Sequence, residues 1–189
     1  MALPAKRTTS ASLFGPFHSS NRLRCADKET TMKTIISVDP GLVTGVGTLT
    51  PGSPEGRFIV KFEEIPGGIA GFARWWDVQF GHDGVVGQVY IEDWMVRPNT
   101  HKLTPQPDPY LIIGYIQGWC SIHGIPLLKI GPGEHKSFNG KGKQSKVRRI
   151  GWITETTPDG HAEDGASVLL SGLLRTHRDL VTPLLKEIA

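Results

Sequence analysis

The fold is decided by a short apolar run and the turn that follows it, Thr34-Ile-Ile-Ser-Val38 and then Asp39-Pro40-Gly41. The run is rich in β-branched residues, which favour strands, and the Pro-Gly pair ends it sharply. Asp39 is therefore expected at the end of a strand, with its carboxylate at the rim of a sheet. Aspartate also favours turns for structural reasons alone, so this residue by itself does not indicate chemistry.

The segments after this turn alternate in a way that predicts an α/β domain. Two further strands follow the first, and helices then alternate with strands. The predicted strands are Thr34–Val38, Gly45–Thr50, Arg57–Phe62, Val85–Ile91 and Pro126–Ile130, and the predicted helices are Ile69–Phe80, Pro109–His123 and about Gly160–Arg175. A polar connection is expected at residues 94–108. This order predicts one domain with a mixed five-stranded sheet flanked by helices.

Length and composition fit a single soluble domain. The chain has 189 residues, of which 38% are hydrophobic and 21% charged, so a packed core can form. No stretch approaches 18 uninterrupted apolar residues, and no membrane span is predicted. Cys25 and Cys120 are too few for a disulfide framework or a cysteine-based zinc site, so we expect a reduced, intracellular protein.

Residues 1–31 form a basic tail ahead of a domain that we place at 32–189. The tail carries a net charge of +3, which is the whole formal charge of the chain, so the domain is neutral overall. The tail has no repeating apolar pattern, and we expect it to be disordered. Its first 26 residues contain no acid, as in organellar transit peptides. The interpretation we favour is that Met32 is the natural start and that the upstream residues are an accessory tail or a misassigned start.

A second acid follows another apolar strand. Glu92 comes directly after Val85–Ile91, near the rim where α/β sheets place ligand sites, and its neighbour Asp93 is an alternative candidate. A solvent-exposed charge at a strand end would have the same sequence pattern.

The last predicted helix opens with further polar residues. His161 and Asp164 are three positions apart and therefore share one face of its first turn. Acids at a helix N-terminus also stabilise it without any catalysis. If Asp164 converges with Asp39 and Glu92, their mutual repulsion requires a cation, and oxygen ligands favour Mg²⁺ or Mn²⁺.

The ordered set of motifs resembles the RuvC-type Holliday junction resolvases of the RNase H-like superfamily, and most closely their phage-encoded members. The resemblance spans roughly residues 33–175, and its motifs are Ile35-Ile-Ser-Val-Asp-Pro-Gly-Leu-Val-Thr-Gly45, Val89-Tyr-Ile-Glu92 and His161-Ala-Glu-Asp-Gly-Ala166. It implies that Asp39, Glu92 and Asp164 are catalytic acids that bind metal, and we expect two Mg²⁺ or Mn²⁺ ions. His161 stands where many members carry an acid and some carry histidine, so its role is open between metal ligand and proton-transfer group. Gly165 replaces a common alanine.

The same resemblance implies an activity and a partner. It implies a homodimer that binds a four-way DNA junction and hydrolyses one phosphodiester in each of two strands. We favour the cytoplasm of a bacterial or phage-infected cell as its location, and the N-terminal tail leaves an organellar matrix as the alternative. Alternatives within the superfamily are nucleases of flaps, forks or RNA-containing hybrids, and an alternative outside enzymology is a module that binds branched DNA without cutting it. The predicted helices 69–80 and 109–123 could form the dimer interface, although Trp75, Trp76 and Trp119 on them could equally be core residues.

A basic segment supports DNA binding independently of the resemblance. Residues 129–149 contain seven cations and one anion within an otherwise neutral domain. Such clustered cations contact phosphates and supply affinity without sequence information. The candidates are Lys136, Lys141, Lys143, Lys146, Arg148 and Arg149, with Trp94 and Phe138 as aromatic side chains that could stack on a base. The histidines at 101, 123, 135 and 177 show no spacing typical of a metal site and receive no predicted role.

Overall fold

A computed structural model of the protein describes residues 33–52, 58–81, 84–94, 107–138, 145–154 and 160–188. The predicted tail, most of the predicted connection at 94–108, Lys141 and Lys143 lie outside these residues. The strands are β1 (Thr34–Asp39), β2 (Val43–Pro51), β3 (Phe58–Pro66), β4 (Val86–Glu92) and β5 (Leu127–Ile130). The helices are α1 (Gly68–Phe80), α2 (Asp108–His123), α3 (Pro132–His135), α4 (Lys146–Arg149), α5 (His161–Thr176) and α6 (Arg178–Glu187).

The strands form one mixed sheet in the order β3-β2-β1-β4-β5. β1, β2 and β3 are antiparallel neighbours, whereas β4 is parallel to β1 and β5 is parallel to β4. The mixed five-stranded sheet that the sequence predicted is therefore confirmed. β1 lies at its centre, and the carboxyl ends of β1, β4 and β5 meet at one edge.

Helices cover both faces of the sheet, which is why every residue of β1 is buried. Successive side chains of a strand point to opposite faces. Ile35 accordingly packs in the cluster that contains Leu169 of α5, whereas Ile36 and Val38 pack in the cluster that contains Trp76 of α1. Two cores on opposite faces hold the central strands rigid, and the candidate site lies at the ends of these strands.

The tryptophans of the two helices on one face belong to the core. Trp76 is fully buried, and its ring meets that of Trp119 edge-on with 5.2 Å between centroids. Trp75 packs partly buried against the same cluster. These three residues therefore join α1 to α2 instead of forming an exposed aromatic interface.

The structure differs from the sequence-based prediction at the end of β3 and at the last helix. β3 does not end at Phe62 but continues to Pro66, paired with β2 as far as Val43. The adjacent acids Glu63 and Glu64 interrupt the apolar pattern, but an edge strand tolerates charged side chains. The helix α6 was not predicted at all, and Pro183 in its interior is a residue that normally argues against a helix.

Among the residues that the structure describes, helices capable of crossing a bilayer are absent, since none combines the required length and hydrophobicity.

Candidate active site

Two acids lie side by side at the carboxyl edge of the sheet because of strand register. Val38 of β1 pairs with Ile91 of β4, so the next residues, Asp39 and Glu92, are neighbours. Both are buried, at 9% and 6% exposure, and the carboxyl of Asp39 lies close enough to raise the pKa of Glu92. Asp93 instead turns outward to an ion pair with Lys129, in which Oδ1 and Nζ are 3.2 Å apart. Glu92, not Asp93, is therefore the acid at this edge.

The start of α5 reaches these acids because two glycines let its backbone touch the sheet. Gly45 of β2 is the partner of Asp39 across the β1–β2 ladder. A Cβ at position 45 would overlap the carbonyl oxygen of His161, and a Cβ at Gly165 would lie 2.9 Å from the carbonyl carbon of Gly45. Ser37 Oγ also donates a hydrogen bond of 2.8 Å to the Gly165 carbonyl. Side chains from the first turn of α5 are thus placed beside Asp39.

An acid from the neighbouring strand caps this helix. Gly160, the residue before α5, has φ of 90° and provides no side chain to cap it. The backbone N–H of His161 instead donates to Glu64 Oε1 over 3.1 Å. A carboxylate at a helix N-terminus satisfies a free N–H and complements the helix dipole. Glu64 lies in the part of β3 that sequence reasoning missed.

Asp39, His161 and Asp164 form a compact group of ligand atoms. One oxygen or nitrogen from each lies within 4.8 Å of the others. His161 Nδ1 is 3.7 Å from Asp39 Oδ2, and the imidazole is about half exposed. The nearby carboxylate of Asp39 raises the pKa of His161 above its usual value, in opposition to partial burial. The group offers two carboxylates and one imidazole to a cation.

Glu92 strongly disfavours ionisation in the absence of a cation. The pKa of its carboxyl is raised to about 9, chiefly by burial and then by the neighbouring carboxyl of Asp39. Nearby Lys136 opposes this shift. A divalent cation bound here would neutralise the negative charge that burial and Asp39 make unfavourable on Glu92.

These side chains line one open cavity of about 480 Å³. Its lining includes residues 40–43 after β1, Trp94 after β4 and Pro109 at the start of α2. The cavity lining is Asp39, Pro40, Gly41, Leu42, Val43, Glu92, Trp94, Pro109, His135, Lys136, His161 and Asp164. The four predicted catalytic residues and Trp94 are therefore together in one place.

His135 is a cavity residue that the sequence did not predict. It ends α3 and is only 2% exposed, with Nε2 3.8 Å from Glu92 Oε1. Burial lowers the pKa of its imidazole. The one sequence signal that pointed to it was its position just after the fifth predicted strand, whose end lies beside Glu92.

The described cations of the basic segment occupy different environments. Lys136 lies at the cavity, and Lys146 is exposed with Nζ 5.0 Å from the centroid of the Phe138 ring. Arg148 instead forms a partly buried ion pair with Glu163, at 2.7 Å between Nη2 and Oε2. Arg149 donates to the carbonyl of Ile188 near the end of α6. Lys136 thus lies at the cavity and Lys146 on the exposed surface, whereas Lys129 is exposed but paired with Asp93.

The fold can be compared with known proteins. No protein-family model matches the sequence, and no curated protein matches it. Among solved structures, Thermus thermophilus RuvC in complex with a Holliday junction substrate superposes with a TM-score of 0.54 at 14% identity, over 78% of this chain and 97% of that one. The fold is that of RuvC. A second structure of T. thermophilus RuvC gives a TM-score of 0.52 at 16% identity, over 77% and 96% of the two chains.

A more distant likeness is to the yeast mitochondrial Holliday junction resolvase Ydc2, with a TM-score of 0.40 at 11% identity over 77% of this chain and 82% of that one. The agreement with RuvC confirms the RNase H-like fold that the motifs predicted.

Proposed function

We propose that the chain is a metal-dependent endonuclease that cuts four-way junctions or closely related branched DNA. The observation that carries the proposal is the meeting of Asp39, Glu92, His161 and Asp164 in one cavity at the carboxyl edge of the sheet. The RuvC fold supports it, because the structure of T. thermophilus RuvC holds a Holliday junction substrate.

The donor set fits a hard divalent cation. One ligand atom from each of Asp39, His161 and Asp164 lies within 4.8 Å of the others, and Glu92 adds a buried carboxyl whose pKa is raised. Oxygen-rich sites of this kind favour Mg²⁺ or Mn²⁺. The metal would be held by Asp39, Glu92, His161 and Asp164, and we propose two ions. Such a pair supplies Lewis-acid stabilisation to the attacking and leaving oxygens of phosphodiester hydrolysis.

The protein's own groups orient the substrate and handle protons. The carboxyl of Glu92 would lose its proton to solvent when a bound cation stabilises the ionised form. Lys136 beside it would attract a phosphate into the cavity. His161 is exposed enough to meet solvent, and its pKa is raised by Asp39. It can therefore hold a proton near the leaving 3′ oxygen or, in the neutral form, act as a ligand. Asp164 is kept in place by the docking of α5 on Gly45.

The DNA surface extends from the cavity along the basic segment. Lys136, Lys146 and Arg149 are the described contacts that we propose for phosphates. Arg148, which the sequence also suggested, is instead paired with Glu163. Lys141 and Lys143 remain proposed on sequence alone. Trp94 lines the cavity and is half buried, so the exposed part of its ring could stack on an unpaired base.

A homodimer belongs to the proposal because a four-way junction presents two equivalent strands for cleavage. One face of α2 suits a helix-to-helix contact. Leu111 and Ile122 are 50% and 83% exposed on it, and Gly114 and Gly118 lie between them with open space at the position of a Cβ. Spacings of three and four residues put all four on one stripe.

The test compares cleavage with binding. Wild-type protein and Asp39→Asn are incubated with a four-way junction, a flap, a fork, an RNA–DNA hybrid and a linear duplex, with Mg²⁺ or Mn²⁺. We expect the junction to be cut by the wild type and bound but not cut by Asp39→Asn. Preferential cutting of flaps, forks or hybrids would show that the chain is a nuclease with a different substrate. Binding without cutting under either metal would show that it is a binding module and not a nuclease.

A further inference from the structure

We propose that His135 is a metal ligand that acts together with Glu92, outside the group formed by Asp39, His161 and Asp164. The inference rests on the proposed function, because it concerns the same cavity, but it assigns the metal-binding role to a residue that the sequence motifs leave out.

His135 is held at this position by the sheet. Ile130, the last residue of β5, pairs with Glu92, and α3 begins two residues later and ends at His135. The imidazole is therefore carried to the side of Glu92 and buried there, at 2% exposure. Its placement depends on the same strand ends that place Asp39 and Glu92.

The imidazole lacks the partners that a purely structural buried histidine would have. Buried polar atoms are nearly always hydrogen-bonded. Nδ1 of His135 makes no well-formed hydrogen bond, although the backbone of Gly131 is close enough to influence the ring. Nε2 faces the carboxyl of Glu92 without a hydrogen bond, since 3.8 Å exceeds the usual 2.7–3.2 Å.

The separation of these two atoms suits a shared cation. Nitrogen and oxygen ligands lie about 2.1 Å from a bound divalent ion, so two ligands of one ion can be up to about 4.2 Å apart. The distance of 3.8 Å between His135 Nε2 and Glu92 Oε1 falls within that limit. It is too long for direct contact and leaves room for an ion between them.

The nitrogen that faces Glu92 is Nε2. A neutral imidazole has one N–H donor and one nitrogen with a lone pair, and the second of these binds a metal ion. A histidine ligand commonly gives its other N–H to a backbone carbonyl, which fixes the tautomer. The tautomer with its proton on Nδ1 leaves Nε2 able to bind an ion beside Glu92.

A centre with imidazoles from both His135 and His161 would differ in metal preference from one built of carboxylates alone. Nitrogen ligands favour transition ions, whereas Mg²⁺ prefers oxygen. We therefore expect Mn²⁺ to bind more tightly than Mg²⁺, with both histidines contributing.

The experiment uses Mn²⁺ as the probe and the full chain labelled with ¹⁵N-histidine or left unlabelled. Electron spin echo modulation reports imidazole nitrogens bound to Mn²⁺ and does not depend on cleavage. In the His161→Ala variant, the Mn²⁺ spin echo should still show nitrogen modulation that changes when histidine is labelled with ¹⁵N, because His135 still binds the ion. The double variant His161→Ala/His135→Ala should lose this modulation. Mn²⁺ affinity should fall tenfold or more in His135→Ala and stay unchanged in His123→Ala, whose ring lies against Trp119.

The outcomes separate this inference from the proposed function. Loss of all nitrogen modulation in His161→Ala would overturn the role of His135, and this result does not require a His135 variant to fold. Wild-type Mn²⁺ affinity in a folded His135→Ala protein would also overturn it. In both cases junction cleavage by the wild type would leave the proposed function intact, whereas absence of any Mn²⁺ binding by the wild type would overturn both.

Discussion

Gly165 of α5 lies directly against Gly45 of β2, so that a Cβ at position 165 would be 2.9 Å from the Gly45 carbonyl carbon. Gly45 is also the ladder partner of Asp39, and Gly165 follows Asp164 in sequence. This backbone contact therefore sets the distance between two of the candidate metal ligands.

Replacement of Gly165 by alanine should move the first turn of α5 away from the sheet. We expect Gly165→Ala to lower the free energy of unfolding by about 1–3 kcal/mol, as for other overpacked positions, and to weaken Mn²⁺ binding. Urea unfolding and Mn²⁺ titration check the two effects. Gly133→Ala is the matched control, since a Cβ there meets nothing within 4 Å. An unchanged Mn²⁺ affinity in Gly165→Ala would show that the contact does not position Asp164.

The bond between Glu64 and the amide of His161 should stabilise the same helix end. Removal of a capping side chain typically costs about 1 kcal/mol, and we expect a loss of this size in Glu64→Ala. Glu64→Gln keeps an acceptor oxygen and should lose less. Thermal unfolding of both variants, with Glu63→Ala as a control in the same strand, measures the difference. Equal stability of Glu64→Ala and the wild type would contradict the capping role.

The raised pKa of Glu92 makes the stability of the metal-free protein depend on pH. In the folded chain the carboxyl stays protonated up to about pH 9, whereas in the unfolded chain it ionises near 4.5. The folded state thus binds more protons across this window, and stability falls as pH rises through it. Glu92→Gln removes this loss of stability. At pH 8 its free energy of unfolding should exceed that of the wild type by on the order of a few kcal/mol, and at pH 4 the two should be similar.

Denaturant unfolding at several pH values, with metal chelated, measures this effect. Saturating Mn²⁺ should reverse the order, because the ionised Glu92 then gains a cation that glutamine cannot replace as well. A difference between the variant and the wild type that does not change between pH 4 and pH 8 would show that Glu92 ionises normally.

The cations of the basic segment should separate into DNA contacts and structural residues. Lys146→Ala should weaken junction binding and reduce the slope of log affinity against log salt by about one. Arg148→Ala should chiefly reduce stability, because it leaves Glu163 partly buried without its ion pair. Binding titrations at several salt concentrations and urea unfolding distinguish the two. A large fall in salt slope with unchanged stability in Arg148→Ala would place this guanidinium on the DNA.

The stripe on α2 gives a test of assembly. Ile122→Lys puts a charge in the proposed contact and should convert a dimer into a monomer, as measured by sedimentation velocity. Gln117→Lys adds a charge on the same helix beside the stripe and serves as the control. A wild-type protein that is monomeric at the concentrations that cut DNA would contradict a dimeric enzyme.

Much of the candidate site could be predicted because strand ends leave a clear sequence pattern. Asp39 and Glu92 each follow an apolar run, and parallel neighbours bring such residues to the same edge. The helix with His161 and Asp164 was predicted from its apolar periodicity. What the pattern could not supply was which of two adjacent acids, Glu92 or Asp93, faces inward, because a strand ends there and alternation no longer applies.

Other features depended on contacts between distant segments. His135 lies in a helix of four residues, too short for any periodicity, and its proximity to Glu92 arises from the β4–β5 pairing. Glu64 has the sequence pattern of a surface charge, and its hydrogen bond with the amide of His161 exists only because α5 packs against that strand. The close approach of Gly45 and Gly165 spans more than a hundred residues, so no local pattern could have indicated it.

The most direct test of the central claim is cleavage of a synthetic four-way junction, with the cut positions mapped on all four strands. The wild type and Asp179→Asn, a control acid on the exposed surface of α6, should nick two opposing strands at symmetrical positions with Mg²⁺ or Mn²⁺. Asp39→Asn and Asp164→Asn should bind the junction and leave it uncut. Cleavage that survives in either of these variants, or a wild type that binds without cutting under both metals, would contradict the assignment of this cavity as the active site of a junction endonuclease.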